Sequence, residues 1–179
     1  MKKVIETERL ILRELLPTDV EGIFELDSDP EVHQYLGNNP IKTREEAAEA
    51  IAFIRQQYTD LGIGRWAIID KQTNEFIGWS GLKLVTDEYN KHSNYYDLGY
   101  RLIKKYWGKG IATETAKAWL HYAFETLKVD AVYAMTDCGN AGSDKILKKV
   151  GLQLVESFVL DEIMHNWYTI DRESFEKNQ

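Results

Sequence analysis

The sequence contains one cysteine, Cys138, in 179 residues. No intrachain disulfide can form, and a reducing, cytoplasmic compartment is expected. Cys138 itself is read as a buried or half-buried free thiol, since no histidine lies within a few residues of it. Prolines number only three (Pro17, Pro30 and Pro40), and no repeat or low-complexity stretch marks a linker. A single domain over residues 1–179 is therefore expected. No uninterrupted apolar run approaches the ~20 residues of a membrane helix. The start, Met1-Lys2-Lys3-Val4-Ile5-Glu6, turns charged sooner than a secretory signal would. There is no basic surplus either: 22 Lys and Arg face 29 Asp and Glu, a net charge of −7. That balance disfavours DNA or RNA as a partner, because phosphate contact on that scale needs a basic face. The four histidines (His33, His92, His121 and His165) fall at no metal-ligand spacing. No metal is expected, and each histidine is read as structural or superficial.

The composition is that of an ordinary globular chain, 44% hydrophobic and 12% aromatic, enough to bury a core without disulfides or metals. Its charge is uneven. Residues 1–90 carry 10 basic and 17 acidic side chains, residues 91–179 carry 12 of each. Within 101–117 lie Arg101, Lys104, Lys105, Lys109 and Lys117 against the single acid Glu114. A basic island in an acidic chain suits a compact anionic ligand.

Periodicity predicts the elements. Glu8–Leu16 alternates as a strand. Thr18 and Glu21 fit a capping box at the start of a helix. Asp29-Pro30 would open a short second helix, with Pro30 at its first position. Thr43 and Glu46 fit another capping box, followed by a stripe of Ala47, Ala50, Ile51, Ile54 and Tyr58, with Gly62 as the stop. Arg65–Asp70 and Glu75–Leu84 read as a hairpin, and Tyr95–Leu102 as the next strand. From Ile111 the spacing becomes helical through Leu127. Ala131–Thr136 is a strand, Ala141–Val150 a helix, and Leu152–Phe158 with His165–Ile170 a final strand pair. Helices interrupting a mostly antiparallel set of strands give an α/β (α+β) fold with a mixed sheet.

The informative junction runs Leu102-Ile103-Lys104-Lys105-Tyr106-Trp107-Gly108-Lys109-Gly110-Ile111-Ala112-Thr113-Glu114. A strand ends, a glycine-containing turn follows and a helix begins. Free N–H groups at a helix start form an anion site, and glycines let phosphate oxygens come close. A Walker A pattern is absent. A dinucleotide fingerprint would need a third glycine where Thr113 stands, which disfavours a Rossmann-type binder.

This junction resembles the phosphate loop of the GNAT superfamily of acetyl-CoA-dependent N-acetyltransferases, in its RimJ/RimL-like branch. Trp107 stands where the loop usually has glutamine or arginine; Gly108, Lys109, Gly110, Ile111 and Ala112 follow the pattern. Glu8-Arg9-Leu10-Ile11-Leu12-Arg13, Asp29-Pro30-Glu31-Val32 and Asn140-Ala141-Gly142-Ser143 resemble the branch at the expected places, so the likeness spans nearly the whole chain. It implies a GNAT fold, its central sheet splayed between the fourth and fifth strands, here Tyr95–Leu102 and Ala131–Thr136. It implies acetyl-CoA as acetyl donor, with its pantetheine arm paired to the backbone of Tyr100, Arg101 and Leu102. Its pyrophosphate would rest on N–H groups from Trp107 to Thr113, and Asn140 would hold a pantetheine amide. A bulge near Tyr100–Leu102 would aim a backbone N–H at the thioester carbonyl.

A thioester is already activated, so no covalent enzyme intermediate is required. A base must free the amine of its proton, since an alkyl ammonium titrates near pH ~10. Asp97, on the strand leading to Leu102, is the candidate base, and Glu162, between the last two strands, the alternative. Relatives place a tyrosine on the helix after the asparagine; residues 141–150 contain none, and Ser143 is the replacement donor. Met135 stands where some relatives carry a glutamate. The expected acceptor is a primary amine: a protein N-terminus, a polyamine, an aminoglycoside or a metabolite. The acidic first half suits a cationic one. A homodimer would fit a family in which dimers are frequent. The competing reading is a non-catalytic acyl-CoA-binding or sensing module.

Overall fold

The computed structural model describes residues 3–179. Its framework is one eight-stranded sheet. Strands β1 (Val4–Glu6), β2 (Leu10–Glu14), β3 (Arg65–Asp70), β4 (Phe76–Val85) and β5 (Tyr95–Leu102) follow one another antiparallel. Strand β6 (Ala131–Asp137) runs parallel to β5, and β8 (Ile163–Asp171) separates it from β7 (Gln153–Leu160) at the far edge. Helices α1 (Val20–Asp27), α2 (Arg44–Leu61), α3 (Ile111–His121), α4 (Ala141–Lys149) and α5 (Arg172–Lys177) complete the fold. Among the described residues, no helix is long and apolar enough to cross a membrane.

The expected mixed, mostly antiparallel sheet is present, and most of the expected elements fall within a few residues of their bounds. Thr43 and Glu46 form the capping box of α2, and Gly62 ends that helix in the left-handed region at φ 74. The core joins Leu10, Leu12, Ile68, Ile77, Trp119 and Phe124, none more than 1% exposed.

Four expectations need correction. Thr18 does not cap α1. Pro17–Asp19 forms a short 3-10 turn, and the Asp19 carboxylate accepts from the Leu16 N–H at 2.7 Å and from Arg13. Asp19 occupies the N-cap position of α1 without a side-chain bond to the helix, its carboxylate being taken by Leu16 and Arg13, and Glu21 pairs with Arg44. Residues 30–37 are a run of turns rather than a helix. The Asp29 side chain captures the Glu31 N–H at 2.9 Å, a local bond that competes with helical pairing. Gly37 and Asn38, at φ 88 and 49, then reverse the chain. The expected bulge is absent, for β4 and β5 pair without a break from Val85↔Tyr95 to Gly78↔Leu102. Cys138 is exposed, its thiol 3.1 Å from Asn166 Oδ1.

The sheet opens on the other side of β5. Among the described residues, β5 and β6 share one register pair, Asp97↔Tyr133, and part beyond it. With β1 counted, this splay lies between the fifth and sixth strands, the two strands in which the sequence placed it. Alternation along β5 sends Asp97, Gly99 and Arg101 to one face and Leu98 and Tyr100 to the other. The first face is that of α1, because Arg101 reaches Asp27. The second is that of α3 and α4, because Ser80, the partner of Tyr100, accepts from Trp119. The wedge thus opens through the sheet.

Candidate active site

A cavity of about 460 Å³ occupies the wedge. Asp97, Gly99 and Arg101 line it from β5, and Met135, Thr136 and Asp137 from β6. The turn at Tyr35–Gly37, the start of α4 and the β7–β8 end close its sides.

On the α1 face, Arg65 and Asp97 form an ion pair at 2.5 Å, their side chains 12% and 14% exposed. Arg65 also donates to the carbonyl oxygens of Gly81 and Asp97, at 2.5 and 2.7 Å. Its guanidinium crosses directly over Gly99, where a Cβ would lie 2.7 Å from Nη2, so only glycine leaves it room. Burial pushes the Asp97 carboxyl above the ordinary carboxylate value; Arg65, and more weakly Lys83, pull it down without overcoming burial. Arg101 and Arg65 both lie over the Trp79 ring, at 4.9 and 5.4 Å.

On the α4 face, Tyr100 spans the opening. Its hydroxyl is 2.9 Å from Ser143 Oγ and 3.3 Å from the Ser143 carbonyl oxygen. Burial raises the phenol's pKa well above its ordinary value, with the Ser143 contact acting in the opposite direction. Asn140 caps α4, its Oδ1 accepting from the Ser143 N–H at 3.1 Å. Its amide nitrogen stays available as a donor.

Where β5 ends, the turn before α3 carries Gly108 and Gly110 in the left-handed region, φ 71 and 76. No side chain caps α3 at Gly110, so the helix's first N–H groups are not covered by one. A Cβ at Gly108 would meet nothing within 4 Å, which leaves the turn open to a ligand. Trp107 is 44% exposed, its ring nitrogen donating to the Leu102 carbonyl. Arg9 holds the turn from outside, donating to the Lys109 carbonyl oxygen at 2.9 Å and pairing with Glu114.

The basic island is largely neutralised. Arg101 pairs with Asp27, Lys104 with Glu31 and Lys105 with Glu25. Lys109 lies over the Tyr106 ring. The expected charge cradle is therefore mostly spent on the acidic first half, and the uncapped start of α3 is what the turn leaves open. Three acids of that half, Glu25, Asp27 and Glu31, are spent in the same pairs.

Asp97, Ser143, Asn140, Tyr100 and Arg101 line one cavity. Leu102 is buried at the end of β5, and Ile111, Ala112 and Thr113 form the first turn of α3. Glu162 lies apart from the cavity lining, exposed in the two-residue β7–β8 turn, whereas its neighbour Asp161 lines the cavity. Arg65, Trp79, Asp137 and His165 also line it, unforeseen from sequence. Only the proximity of Asp137 to Asn140 could have flagged any of them. No group of three or more His, Cys, Asp or Glu that could hold a metal occurs among the described residues.

Comparison with known proteins agrees with this geometry. A family model described as an acetyltransferase (GNAT) domain matches residues 9–153. The chain is 30% identical over 153 residues to the uncharacterized N-acetyltransferase YoaA of Bacillus subtilis, covering 86% of this chain and 84% of that one. A GNAT-family acetyltransferase from Bacillus anthracis superposes with a TM-score of 0.80 at 24% identity, covering 96% and 99% of the two chains. RimL, a ribosomal L7/L12 alpha-N-protein acetyltransferase, superposes at 0.77 with 17% identity, covering 96% and 95%.

Proposed function

The chain belongs to the GNAT family of N-acetyltransferases, and from that premise we propose that it acetylates a primary amine by direct attack on acetyl-CoA, in the cytoplasm. The observation that carries this reading is the opening through the sheet, with hydroxyls on one face and a carboxylate on the other. Family membership supplies acetyl-CoA as the donor. The residues present fit it: an open left-handed turn and an uncapped helix start suit a pyrophosphate, and the unpaired side of β5 suits an extended amide arm.

Bound acetyl-CoA supplies an acyl group already activated as a thioester. The chain's own groups do the rest. Backbone of Tyr100, Arg101 and Leu102 orients the donor arm, N–H groups from Trp107 to Thr113 hold its phosphates, and the Asn140 amide donates to it. Asp97 accepts the amine proton, directly or through one water, from the α1 face. Ser143 offers a hydroxyl from the α4 face. Glu162, the alternative base, would need the β7–β8 turn to bend inward.

The acceptor enters beside the turn at Tyr35–Gly37, past Trp79 and Asp161. Thiol release from acetyl-CoA, measured across peptide N-termini, polyamines, aminoglycosides and small amines, tests the reading. Amine-dependent release supports it. Saturable CoA binding without release from any amine would turn the protein into an acyl-CoA-binding module.

Gly110→Val tests the cofactor turn. A β-branched residue at φ 76 is strained and stands over the helix start. CoA affinity measured by calorimetry is expected to fall about tenfold or more, because hydrogen bonds to a charged group are worth ~1.5–3 kcal/mol each. The circular dichroism spectrum is expected to stay unchanged. Normal affinity would remove the turn from the site.

A further inference from the structure

We propose that the Arg101 side chain anchors a carboxylate carried by the acceptor, and that the acceptor is a compact dipolar amine of the amino-acid class. The inference rests on the acetyl-transfer reading of the cavity and narrows its acceptor.

Arg101 lines the cavity from the α1 face of β5, where its side chain is separate from the backbone given to the donor arm. Its guanidinium lies over the Trp79 ring at 4.9 Å, which fixes its plane. A guanidinium carries five N–H donors. Among the described residues, Arg101 uses one of them, from Nη1 to Asp27 Oδ1 at 2.7 Å. Asp27 is buried, and His33 Nε2 stands 3.4 Å from the same oxygen. This pair orients the guanidinium without exhausting it. Arg101 Nε is buried and has no partner. An orphaned donor beside a cavity points to a partner that arrives with the ligand. Arg65, the other guanidinium of the wall, has both terminal nitrogens engaged, by the Asp97 carboxylate and by the carbonyl oxygens of Gly81 and Asp97. Arg101 is therefore the one with N–H groups to offer.

The two sides of the wedge differ in charge. Facing Arg101 are Asp137 from β6 and Asp161 from the β7–β8 turn. Asp137 also accepts from the Gly139 N–H at 2.7 Å. A polyamine or an aminoglycoside, cationic along its length, suits the acidic side and is repelled by Arg101. A dipolar amine suits both, with its carboxylate on Arg101 and its ammonium toward the acids until Asp97 accepts the proton. A planar carboxylate matches the guanidinium fork through two parallel N–H···O bonds. Size agrees as well. The cavity of about 460 Å³ also takes the end of the donor arm, which leaves space for a compact acceptor.

The test is thiol release from acetyl-CoA with a panel of free amino acids, each measured against its own carboxamide. Rates are compared at equal concentrations of unprotonated amine, because amidation also changes the amine's basicity. In the wild-type enzyme kcat/KM is expected to favour the free acid by about tenfold or more. In Arg101→Gln the ratio of the two is expected to fall to about one. Taking a ratio cancels any effect of the substitution on donor binding or on folding that both acceptors share. Arg101→Lys keeps a cation beside buried Asp27 but loses the fork, and its ratio should lie between the other two. Equal rates in the wild-type enzyme, or a preference for the carboxamide, overturn the proposal. A preference that survives undiminished in both variants overturns it too, as does release with polyamines or aminoglycosides but with no amino acid. Release with no amine at all would instead overturn the acetyl-transfer reading beneath it.

Discussion

Asp97→Asn is expected to lower kcat by about a hundredfold or more at neutral pH, with CoA affinity unchanged. The substitution keeps an oxygen for Arg65 to bond and removes the group that takes the amine proton. Its environment also sets a pH signature. Burial holds the Asp97 carboxyl above the ordinary carboxylate value against the pull of Arg65. Activity of the wild-type enzyme should therefore fall on acidification at a higher pH than an exposed aspartate would dictate, and Asp97→Asn should lose that limb. A variant with wild-type kcat across the pH range would pass the base role to Glu162 or to water.

Arg65→Met is expected to destabilise the fold by about 3–5 kcal/mol at neutral pH, as measured by urea denaturation, because it leaves the Asp97 carboxylate buried without its partner. The sign of the pH dependence follows from the same pair. Without Arg65 the folded-state pKa of Asp97 rises further above the unfolded value near ~3.9. The folded state then favours the protonated form, so the penalty is full above the raised pKa and fades as the pH falls through it. Stability in Arg65→Met that is equal to wild type at neutral pH would mean the pair is solvated and inert.

The Arg65–Asp97 pair shows where sequence reasoning stopped. Each residue sat correctly in a strand, because alternation and turn residues mark strands locally. That the two meet depends on β3, β4 and β5 bringing Arg65, Gly81 and Gly99 into line, a register set by the whole sheet. The strand–glycine–helix junction was legible as structure because all its parts are contiguous: strand end, glycines, helix start. The Tyr100–Ser143 contact was not, because its members lie on separate walls of the wedge, 43 residues apart. The segment after Asp29 misled because an aspartate side chain took a backbone N–H that a helix would have used. The charge island misled in another way, for a count along the chain cannot see Glu25, Asp27 and Glu31 folded back against it.

Those three ion pairs give the chain a history as well as a shape. The ribosome delivers residues 1–90 first, with seven more acids than bases. Glu25, Asp27 and Glu31 leave the exit tunnel well before Arg101, Lys104 and Lys105 exist to meet them. Until then these three acids lack the cations they pair with in the fold, whereas Glu21 of α1 already has Arg44 in the same half. The arrival of β5 and the turn after it adds the strand that carries Asp97 and supplies the cations that pair with Glu25, Asp27 and Glu31. Chain synthesis thus places the neutralising step late, at the strand that lines the cavity.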